Sequence, residues 1–279
     1  MTFREALADG PLLLDGATGT ELIAIGCPTD RPPAIWSIER PDDVRRVVTA
    51  SVEAGARVVM TNTFCAAPAF VGPWGVDSSD VISRSIDIAC DAAGGRAFVA
   101  GSISVVSPDG PHGTDGYAEY RRQSELFCSG GVDAIVIETM TSIDELRTAV
   151  LGASAVREGT PLVACMSFGA DLRTIDGALP EEMAWVLEDL GADAVGVNCC
   201  DGPETVLRVV EALARATDLP IWAKPNAGLP GALVDDDAFA AFAVRIVGAG
   251  ADAIGGCCGT TPQTIRAIGK RLGLDEKHE

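Results

Sequence analysis

The stretch GADAVGVNCC, residues 191–200, contains the pattern that decides the fold. A Gly-Ala-Asp turn leads into a short and almost continuously apolar run, which ends in an asparagine and two cysteines. An apolar run without polar alternation is typical of a strand in a parallel sheet that is covered on both faces. Related turns recur at Gly55, Gly131 and Gly250, each just before another apolar run. The repetition predicts a chain built from βα units.

Eight apolar runs of this kind are spaced along the chain. They lie at residues 11–16, 57–64, 97–104, 133–140, 161–168, 193–200, 220–226 and 252–258. Amphipathic helical patterns lie between them, at residues 41–54, 79–93, 117–129, 181–190, 203–216 and 236–249. Alternating strands and helices form a parallel sheet with right-handed crossovers, and eight strands most simply close into a (β/α)8 TIM barrel. We therefore predict an α/β fold with a single domain over residues 1–279.

Capping residues predict where two further helices begin. Ser142 and Glu145 have the spacing of a capping box ahead of an apolar stretch. Thr261 followed by Pro262 is typical of an N-cap and a first helical position. Helices are thus expected directly after Ser142 and Thr261.

The composition excludes several classes of partner. The formal net charge is −19, so the surface is expected to repel nucleic acid and anionic membranes. The first residues, MTFREALADG, lack the apolar segment of a signal peptide, and no apolar run approaches the length of a membrane span. The sequence therefore predicts a cytoplasmic protein that binds neither nucleic acid nor membrane.

The chain has nine cysteines, and an odd number in a chain of this length is not typical of a secreted disulfide scaffold. Five are dispersed, and each can be a small buried residue or a surface thiol. The other four form two adjacent pairs, Cys199-Cys200 and Cys257-Cys258, at the ends of the sixth and eighth predicted strands. We expect the chemistry at these pairs.

Polar and sulfur-containing side chains gather at the predicted carboxyl ends of the strands, where barrels of this kind carry their active sites. They are Asp15, Asn62, Thr63, Ser102, Glu138, Asn198, Cys199, Cys200, Lys224, Asn226, Cys257 and Cys258. Three thiolates from two strand ends can hold zinc and leave its fourth position for a substrate thiol. Such a thiol would lose its proton at neutral pH. Four packed, unreactive thiols are the alternative interpretation.

A regular strand directs adjacent side chains to opposite faces, so both members of a cysteine pair can bind one metal only where the backbone departs from the strand. Gly255, Gly256 and Gly259 surround the second pair and could give the backbone that freedom. The residues alone leave open which of the four cysteines would bind.

Other residues at the same rim allow different chemistry. Lys224 could form a Schiff base, as in barrel aldolases, or could be a salt-bridged lysine. The glycines within residues 226–231 and 255–260 could bind a phosphate or could only form turns.

The carboxylates and histidines of the predicted rim and chain also bear on the chemistry. Asp15 and Glu138 could bind an amino group, or could cap helices and close salt bridges at the rim. The two histidines are His112 and His278, and so small a number argues against histidine-centred hydrolysis.

Several motifs together resemble the homocysteine S-methyltransferases. They are LLLDGATGTEL (12–22), TNTF (61–64), IET (137–139), GVNCC (196–200), PNAGLP (225–230) and GGCCGTTP (255–262). The family includes betaine–homocysteine methyltransferase, S-methylmethionine-dependent enzymes and the homocysteine module of cobalamin-dependent methionine synthase. That module is the most similar subgroup, through MSF (166–168), PNAGLP and GGCCGTTP.

The resemblance implies a zinc-dependent transfer of a methyl group to the thiol of L-homocysteine, which forms L-methionine. The implied zinc ligands are Cys199, Cys257 and Cys258, with Cys200 only a neighbour. The implied residues of the homocysteine pocket are Asp15, Gly16, Ala17, Thr18, Glu138 and Asn198. The two carboxylates would bind the amino group, segment 16–18 would bind the carboxylate, and the asparagine would shape the zinc loop.

The resemblance leaves the methyl donor open. Segment 101–110 lacks the Gly-Pro that the family usually has in a loop facing the donor. The donor could be a small onium compound or a corrinoid, and a corrinoid would have to arrive on a separate protein. In that case the chain would be an acceptor subunit that is active only with its corrinoid partner. The oligomeric state stays open.

Overall fold

The computed structural model describes residues 1–108, 116–229 and 232–274. Its strands are β1 (Leu12–Leu13), β2 (Val58–Met60), β3 (Phe98–Ile103), β4 (Ala134–Met140), β5 (Leu162–Met166), β6 (Ala194–Cys199), β7 (Ile221–Pro225), β8 (Gly228–Leu229), β9 (Ala232–Leu233) and β10 (Ala253–Ile254). Strands β8 and β9 form a separate antiparallel hairpin. The others form one parallel sheet in the order β1-β10-β7-β6-β5-β4-β3-β2.

A parallel bridge between Leu14 and Val58 connects the two outer members of this order, so the sheet closes on itself. The predicted (β/α)8 barrel is therefore confirmed, with β10 as its eighth strand. The single domain predicted over residues 1–279 includes residues 109–115, 230–231 and 275–279, which lie outside the described residues. His112 and His278 lie there too.

Helices fill the connections between the strands. They are α1 (Phe3–Ala8), α2 (Thr18–Ala24), α3 (Trp36–Glu39), α4 (Pro41–Glu53), α5 (Pro68–Val71), α6 (Ser78–Ala93), α7 (Gly116–Ser129), α8 (Ile143–Ser154), α9 (Pro180–Asp189), α10 (Pro203–Ala216), α11 (Asp236–Gly248) and α12 (Pro262–Leu272). The six helices predicted from amphipathic patterns are present within one residue at each end. No helix in the described ranges has the length and apolar character required to cross a bilayer.

The recurring glycine turn explains how each helix returns to the sheet. Gly55, Gly131, Gly191 and Gly250 all have positive φ, between 69° and 119°. Glycine adopts this conformation without the steric cost that a side chain would add.

An aspartate follows three of these glycines by two residues and connects neighbouring strands. The carboxylates of Asp133, Asp193 and Asp252 accept hydrogen bonds from the backbone N–H groups of Val99, Leu162 and Ile221, at 2.8, 2.9 and 2.8 Å. These bonds lie at the amino ends of the strands. The sequence repeat is therefore a device that fixes the register of the barrel at the rim opposite the cysteines.

Aromatic side chains close the interior of the barrel at the amino ends of the strands. Trp222 of β7 is 1% exposed and belongs to a core cluster with Leu14 and Met60. Phe3 of α1 packs against Trp222 and Phe98, with ring centroids 6.4 and 5.7 Å apart. Any cavity in the barrel must therefore open at the carboxyl ends of the strands.

Only one of the two predicted helix caps has the expected chemistry. The Thr261 hydroxyl accepts from the backbone N–H of Thr264 and caps α12 as predicted. The Ser142 capping box is wrong, because its side chain makes no cap bond to α8. Instead Asp176 accepts from the backbone N–H of Ile143 at 2.8 Å. Glu145 is buried and accepts from the Tyr120 hydroxyl at 3.0 Å.

Candidate active site

A cavity of about 440 Å³ lies at the carboxyl ends of the barrel strands. Its lining is Gly16, Ala17, Thr18, Gly19, Thr20, Thr29, Asp30, Arg31, Pro32, Pro33, Met60, Thr61, Asn62, Phe64, Cys65, Phe70, Ser102, Glu138, Thr139, Cys199, Lys224, Gly256, Cys257 and Cys258. The cavity thus collects side chains from the ends of several strands, as the barrel architecture predicts.

Three cysteine sulfurs converge on this cavity. The Sγ atom of Cys199 lies 3.4 Å from that of Cys257 and 3.9 Å from that of Cys258. All three sulfurs lie within 4.8 Å of one another. Sulfurs bound to one tetrahedral zinc at ~2.3 Å lie roughly 3.8 Å apart, so the donor set and its spacing fit a metal ion. The cluster could therefore hold a metal.

The backbone departs from the strand at the first cysteine pair. Both Cys199 and Cys200 have φ of 62°, a conformation that costs energy for residues other than glycine. The Cys200 side chain consequently turns away from the cluster, and its sulfur accepts from the backbone N–H of Phe168 at 3.3 Å. Burial raises the pKa of the Cys200 thiol to about 11. Cys200 is thus a packed thiol outside the three-sulfur cluster.

The second pair lies beyond the end of β10, in a loop that the PNAG segment holds in place. The backbone N–H of Cys257 donates to the carbonyl of Pro225, and Ala227 N–H donates to the Cys258 carbonyl, at 2.8 and 2.9 Å. The Asn226 side chain donates to the carbonyl of Cys200 at 2.7 Å. This segment therefore connects both cysteine loops. Its hydrogen bonds to them give the segment a structural role that needs no bound phosphate.

The glycines beside the second pair act mainly by leaving space, which corrects the expectation of backbone freedom. A Cβ on Gly255 would lie 2.7 Å from the backbone carbonyl oxygen of Asp15, and one on Gly256 would lie 2.4 Å from the Thr260 hydroxyl. Only Gly259 of the three has positive φ, at 80°. Close packing of the loop against β1 therefore requires the Gly-Gly sequence.

The three thiols share their protons unequally. Hydrogen bonds from Cys199 and Cys257 lower the pKa of the Cys258 thiol to about 3, against the opposing effect of burial. Donation to its two neighbours raises the pKa of Cys199. The hydrogen bonds within the cluster therefore favour a thiolate even without a metal.

Lys224 and Asp15 form a buried ion pair at the base of the cavity. The Lys224 ammonium donates to Asp15 Oδ1 at 2.5 Å, and the two side chains are 5% and 3% exposed. The other oxygen of Asp15 accepts from the backbone N–H of Met60 at 2.8 Å. Burial opposes the charge on Lys224, but the Asp15 and Glu138 carboxylates outweigh it and raise its pKa. The lysine is thus held as an ammonium, which does not suit a Schiff-base nucleophile.

Glu138 is directed into the cavity by an irregularity in β4. The register with β5 shifts between Ile137 and Met140, and Thr139 has φ of 60°. The Ser102 hydroxyl donates to Glu138 Oε1 at 2.5 Å. Burial raises the pKa of the Glu138 carboxyl to about 7, and the charge of Lys224 opposes that shift.

Asn198 lies behind the cavity wall and connects the acid to the sulfur cluster. Its side-chain amide accepts from Thr139 N–H and donates to Thr139 Oγ1, at 2.8 and 2.7 Å. The same Nδ2 atom lies 3.4 Å from Glu138 Oε2 and 3.9 Å from Cys257 Sγ. Asn198 is fully buried. It therefore holds β4 and β6 in the positions that bring Glu138 and the thiols together.

The structure brings most of the predicted site residues to one cavity. Cys199, Cys257, Cys258, Glu138 and the segment 16–18 all belong to its described lining. Asp15 and Asn198 contact lining residues and are absent from that lining as the structure describes it.

Sequence reasoning missed the segment 29–33 and Phe70, which complete one wall. They lie in loops and a short helix, and a search confined to strand ends passes over them. The nearby Arg31 guanidinium is held by an ion pair with Glu39 and lies 5.7 Å from the Trp74 ring centroid.

Comparisons with known proteins identify the family of this chain. The family model described as homocysteine S-methyltransferase matches residues 12–272. A homocysteine S-methyltransferase 1 from Zea mays is 30% identical over 96% of this chain and 96% of its own length. A methionine synthase from Mycobacterium tuberculosis is 29% identical over 95% of this chain, which spans only 25% of the length of that relative.

A solved structure gives the same result for the fold. The metallated form of the homocysteine methyltransferase MmuM from Escherichia coli is similar with a TM-score of 0.78 and 27% identity. The similarity covers 96% of this chain and 99% of that one. With a family model that spans nearly the whole barrel, this chain belongs to the homocysteine S-methyltransferase family of enzymes.

Proposed function

We propose that this chain transfers a methyl group to the thiol of L-homocysteine and so forms L-methionine. The observation that carries the proposal is the three-sulfur cluster of Cys199, Cys257 and Cys258, which lines the same cavity as Glu138 and Lys224. A thiol-binding site beside a carboxylate and an ammonium suits a substrate that has a thiol, an amino group and a carboxylate. Family membership supports the same reaction.

We infer that the cluster holds zinc. The three sulfurs have the spacing that a tetrahedral zinc site requires, and three protein ligands leave one position for a substrate. Zinc bound there would supply acidity to the thiol of homocysteine, so that the sulfur is a thiolate at neutral pH. The MmuM structure is of a metallated form, which supports metal binding by this chain.

The residues of the chain would position the acceptor. Glu138 lines the cavity and is the carboxylate able to accept the α-ammonium of homocysteine directly, whereas Asp15 is neutralised by Lys224 and lies outside the described lining. Segment 16–18 would offer its backbone N–H groups to the substrate carboxylate at the start of α2. Asn198 would keep Glu138 and Cys257 in register.

The transfer itself is a direct displacement. The homocysteine sulfur, which has released its proton, attacks the methyl carbon of the donor and forms the new S–C bond. The bond between that carbon and the donor breaks, and its electron pair leaves with the donor. Much of the acceleration would come from holding the two substrates in line.

Two donor classes fit this step. A small onium compound could enter the 440 Å³ cavity beside the acceptor. A corrinoid is the second candidate, because this chain is similar to part of a methionine synthase. The aldolase alternative is disfavoured by the ion pair that keeps Lys224 charged.

The test is methionine formation by the reduced, zinc-loaded chain. L-homocysteine would be supplied with S-methyl-L-methionine, S-adenosylmethionine, betaine or methylcobalamin, and isotope-labelled methionine would be measured by mass spectrometry. We expect turnover with at least one donor and loss of turnover after the metal is removed. Absence of labelled methionine with all four donors would contradict the proposal.

A further inference from the structure

Lys224 is a buried cation to which the reaction described above assigns no contact with the substrate. Its side chain is 5% exposed and lines the cavity. An ammonium has three N–H donors, and within the described residues Nζ donates one hydrogen bond, to Asp15 Oδ1. A buried donor without an acceptor costs free energy. The remaining donors therefore call for an acceptor atom inside the cavity.

Asp15 acts as the counter-ion of this lysine. One of its oxygens accepts from Lys224 and the other from the backbone N–H of Met60. Asp15 does not belong to the cavity lining that the structure describes, whereas Lys224 does. The ion pair therefore presents its positive member to a ligand and keeps its negative member behind it.

Glu138 and the sulfur cluster lie around the same point. Asn198 on β6 is the register partner of Lys224 on β7. The Nδ2 atom of Asn198 lies 3.4 Å from Glu138 Oε2 and 3.9 Å from Cys257 Sγ. A carboxylate, an ammonium and a thiol cluster thus lie around one buried asparagine and line the same cavity.

We propose that Lys224 binds the α-carboxylate of the acceptor amino acid, while Glu138 binds its α-ammonium. The inference rests on the proposed methyl transfer and adds the group that selects the acceptor. Segment 16–18 adjoins Asp15 and would complete the carboxylate site with uncharged donors. The acceptor class is then a zwitterionic amino acid with a side-chain thiol, and thiols without a carboxylate are poor substrates.

The test compares two acceptors in two variants. L-homocysteine and 3-aminopropane-1-thiol, which lacks only the carboxylate, are assayed with wild type and with Lys224→Met. We expect kcat/KM for L-homocysteine to fall roughly 100-fold, chiefly through KM, because a buried ionic partner is lost. The value for the aminothiol should change less than about threefold. Lys270→Met, at an exposed lysine of α12, is the matched control and should leave both values unchanged.

A structural role for Lys224 would give a different result. If Lys224 only supported Asp15, its removal would reduce kcat/KM equally for both acceptors, and that outcome would overturn the proposal. Because Lys224→Met leaves Asp15 buried without its partner, Asp15→Asn/Lys224→Met replaces this variant if it fails to fold. The ratio of kcat/KM for the two acceptors in the double variant is then compared with the same ratio in Asp15→Asn alone. A lower ratio in the double variant supports the proposal, and an equal ratio overturns it.

A binding measurement separates this inference from the proposed function. Calorimetry would compare L-methionine with 3-(methylthio)propan-1-amine, which has no carboxylate, on zinc-loaded wild type and Lys224→Met. We expect wild type to prefer L-methionine and the variant to lose that preference. Such a result without any methionine formation would refute the methyl transfer and keep the carboxylate site. Equal preference in wild type and variant would refute the carboxylate site.

Discussion

The two rims of the barrel use the same residue types for opposite purposes. At the amino ends of the strands, Asp133, Asp193 and Asp252 accept backbone N–H groups of neighbouring strands, and Asp193 also pairs with two arginines. At the carboxyl ends, Asp15 is paired with a buried lysine. Glu138 there has a pKa raised to about 7 by burial. Acidic groups thus fix the register at one rim and leave charge available at the other.

The two rims also differ in the residues that adopt positive φ angles. At four of the turns where helices return to the amino ends of strands, a glycine has the positive φ angle and adds no steric cost, and Glu158 (φ 43°) in the turn between α8 and β5 is an exception. Thr139, Cys199 and Cys200 have positive φ at the carboxyl ends of β4 and β6, and none of them is a glycine. Each such residue costs of order 1 kcal/mol. The comparison indicates that the rim at the amino ends stabilises the barrel. The rim at the carboxyl ends contains strained residues that orient functional groups, at a cost in stability.

The largest effect is expected for Cys258→Ala, at the functional rim. Loss of one sulfur should abolish metal binding and reduce methyl transfer more than ~100-fold, because a ligand matters at least as much as the residues that orient it. The barrel should remain folded, since Cys258 is exposed. Metal content and circular dichroism would be measured together, with Cys90→Ala on α6 as an exposed control. Full metal content in the Cys258 variant would contradict the ligand assignment.

At the opposite rim we expect the reverse for Asp193→Ala. The change removes hydrogen bonds from Arg4 Nε and Leu162 N–H at 2.7 and 2.9 Å, and the pairing with Arg157. The free energy of unfolding should fall by about 2 kcal/mol, while the activity of the folded protein stays the same. Urea unfolding would measure this, with the exposed Asp189→Ala as control. A large loss of activity at unchanged stability would break the comparison between the rims.

A pH profile would sharpen the comparison. Burial raises the pKa of Glu138 to about 7. An amino acid binds the ionised form, so the affinity of metal-free protein for L-methionine should rise up to tenfold per pH unit below 7 and level off above. The sign for stability is opposite: the unfolded carboxyl ionises near its usual 4.5, so stability falls as the pH rises from there through 7.

Glu138→Gln is the matched variant for this profile, because the amide keeps the shape and loses the titration. Its affinity for L-methionine should be lower and independent of pH between about 5.5 and 8. An identical slope in wild type and variant would assign the titration to another group.

The smallest effect is expected for Cys200→Ala, beside Cys199, the first of the three proposed metal ligands. Its sulfur accepts from Phe168 N–H and lies outside the three-sulfur cluster. We expect full metal content and a stability loss of about 1 kcal/mol from the vacated volume. Metal analysis and urea unfolding would check both values. Loss of metal in this variant would show that the choice within the first pair is wrong.

Sequence patterns predicted the barrel because its signals are local. Apolar runs, amphipathic periods and glycine turns placed eight strands in order, and six helices within one residue at each end. Strand ends were predicted too long, as for β10, which stops at Ile254, just before Gly255 packs closely against Leu14 and Asp15. That contact joins residues distant in the chain, and no local pattern contains it.

The sequence predicted most of the residues of the site. It did not predict which of them contact one another. Adjacent cysteines at two strand ends pointed to one cluster, and the structure brings Cys199, Cys257 and Cys258 together. The Lys224–Asp15 pair depends on β7 and β1, which are separated by β10 in the sheet. Segment 29–33 reaches the cavity from a loop without strand or motif. Both the ion pair and the position of segment 29–33 depend on contacts between residues distant in the chain, which no local pattern contains.

The central claim is that three cysteines hold a zinc ion that binds the sulfur of homocysteine. The direct measurement is the X-ray absorption edge of zinc in the reduced, metal-loaded protein before and after L-homocysteine is added. We predict one zinc per chain with three protein sulfurs, and a fourth sulfur at ~2.3 Å when homocysteine is present. A protein that takes up no zinc, or a zinc shell unchanged by homocysteine, would contradict the account.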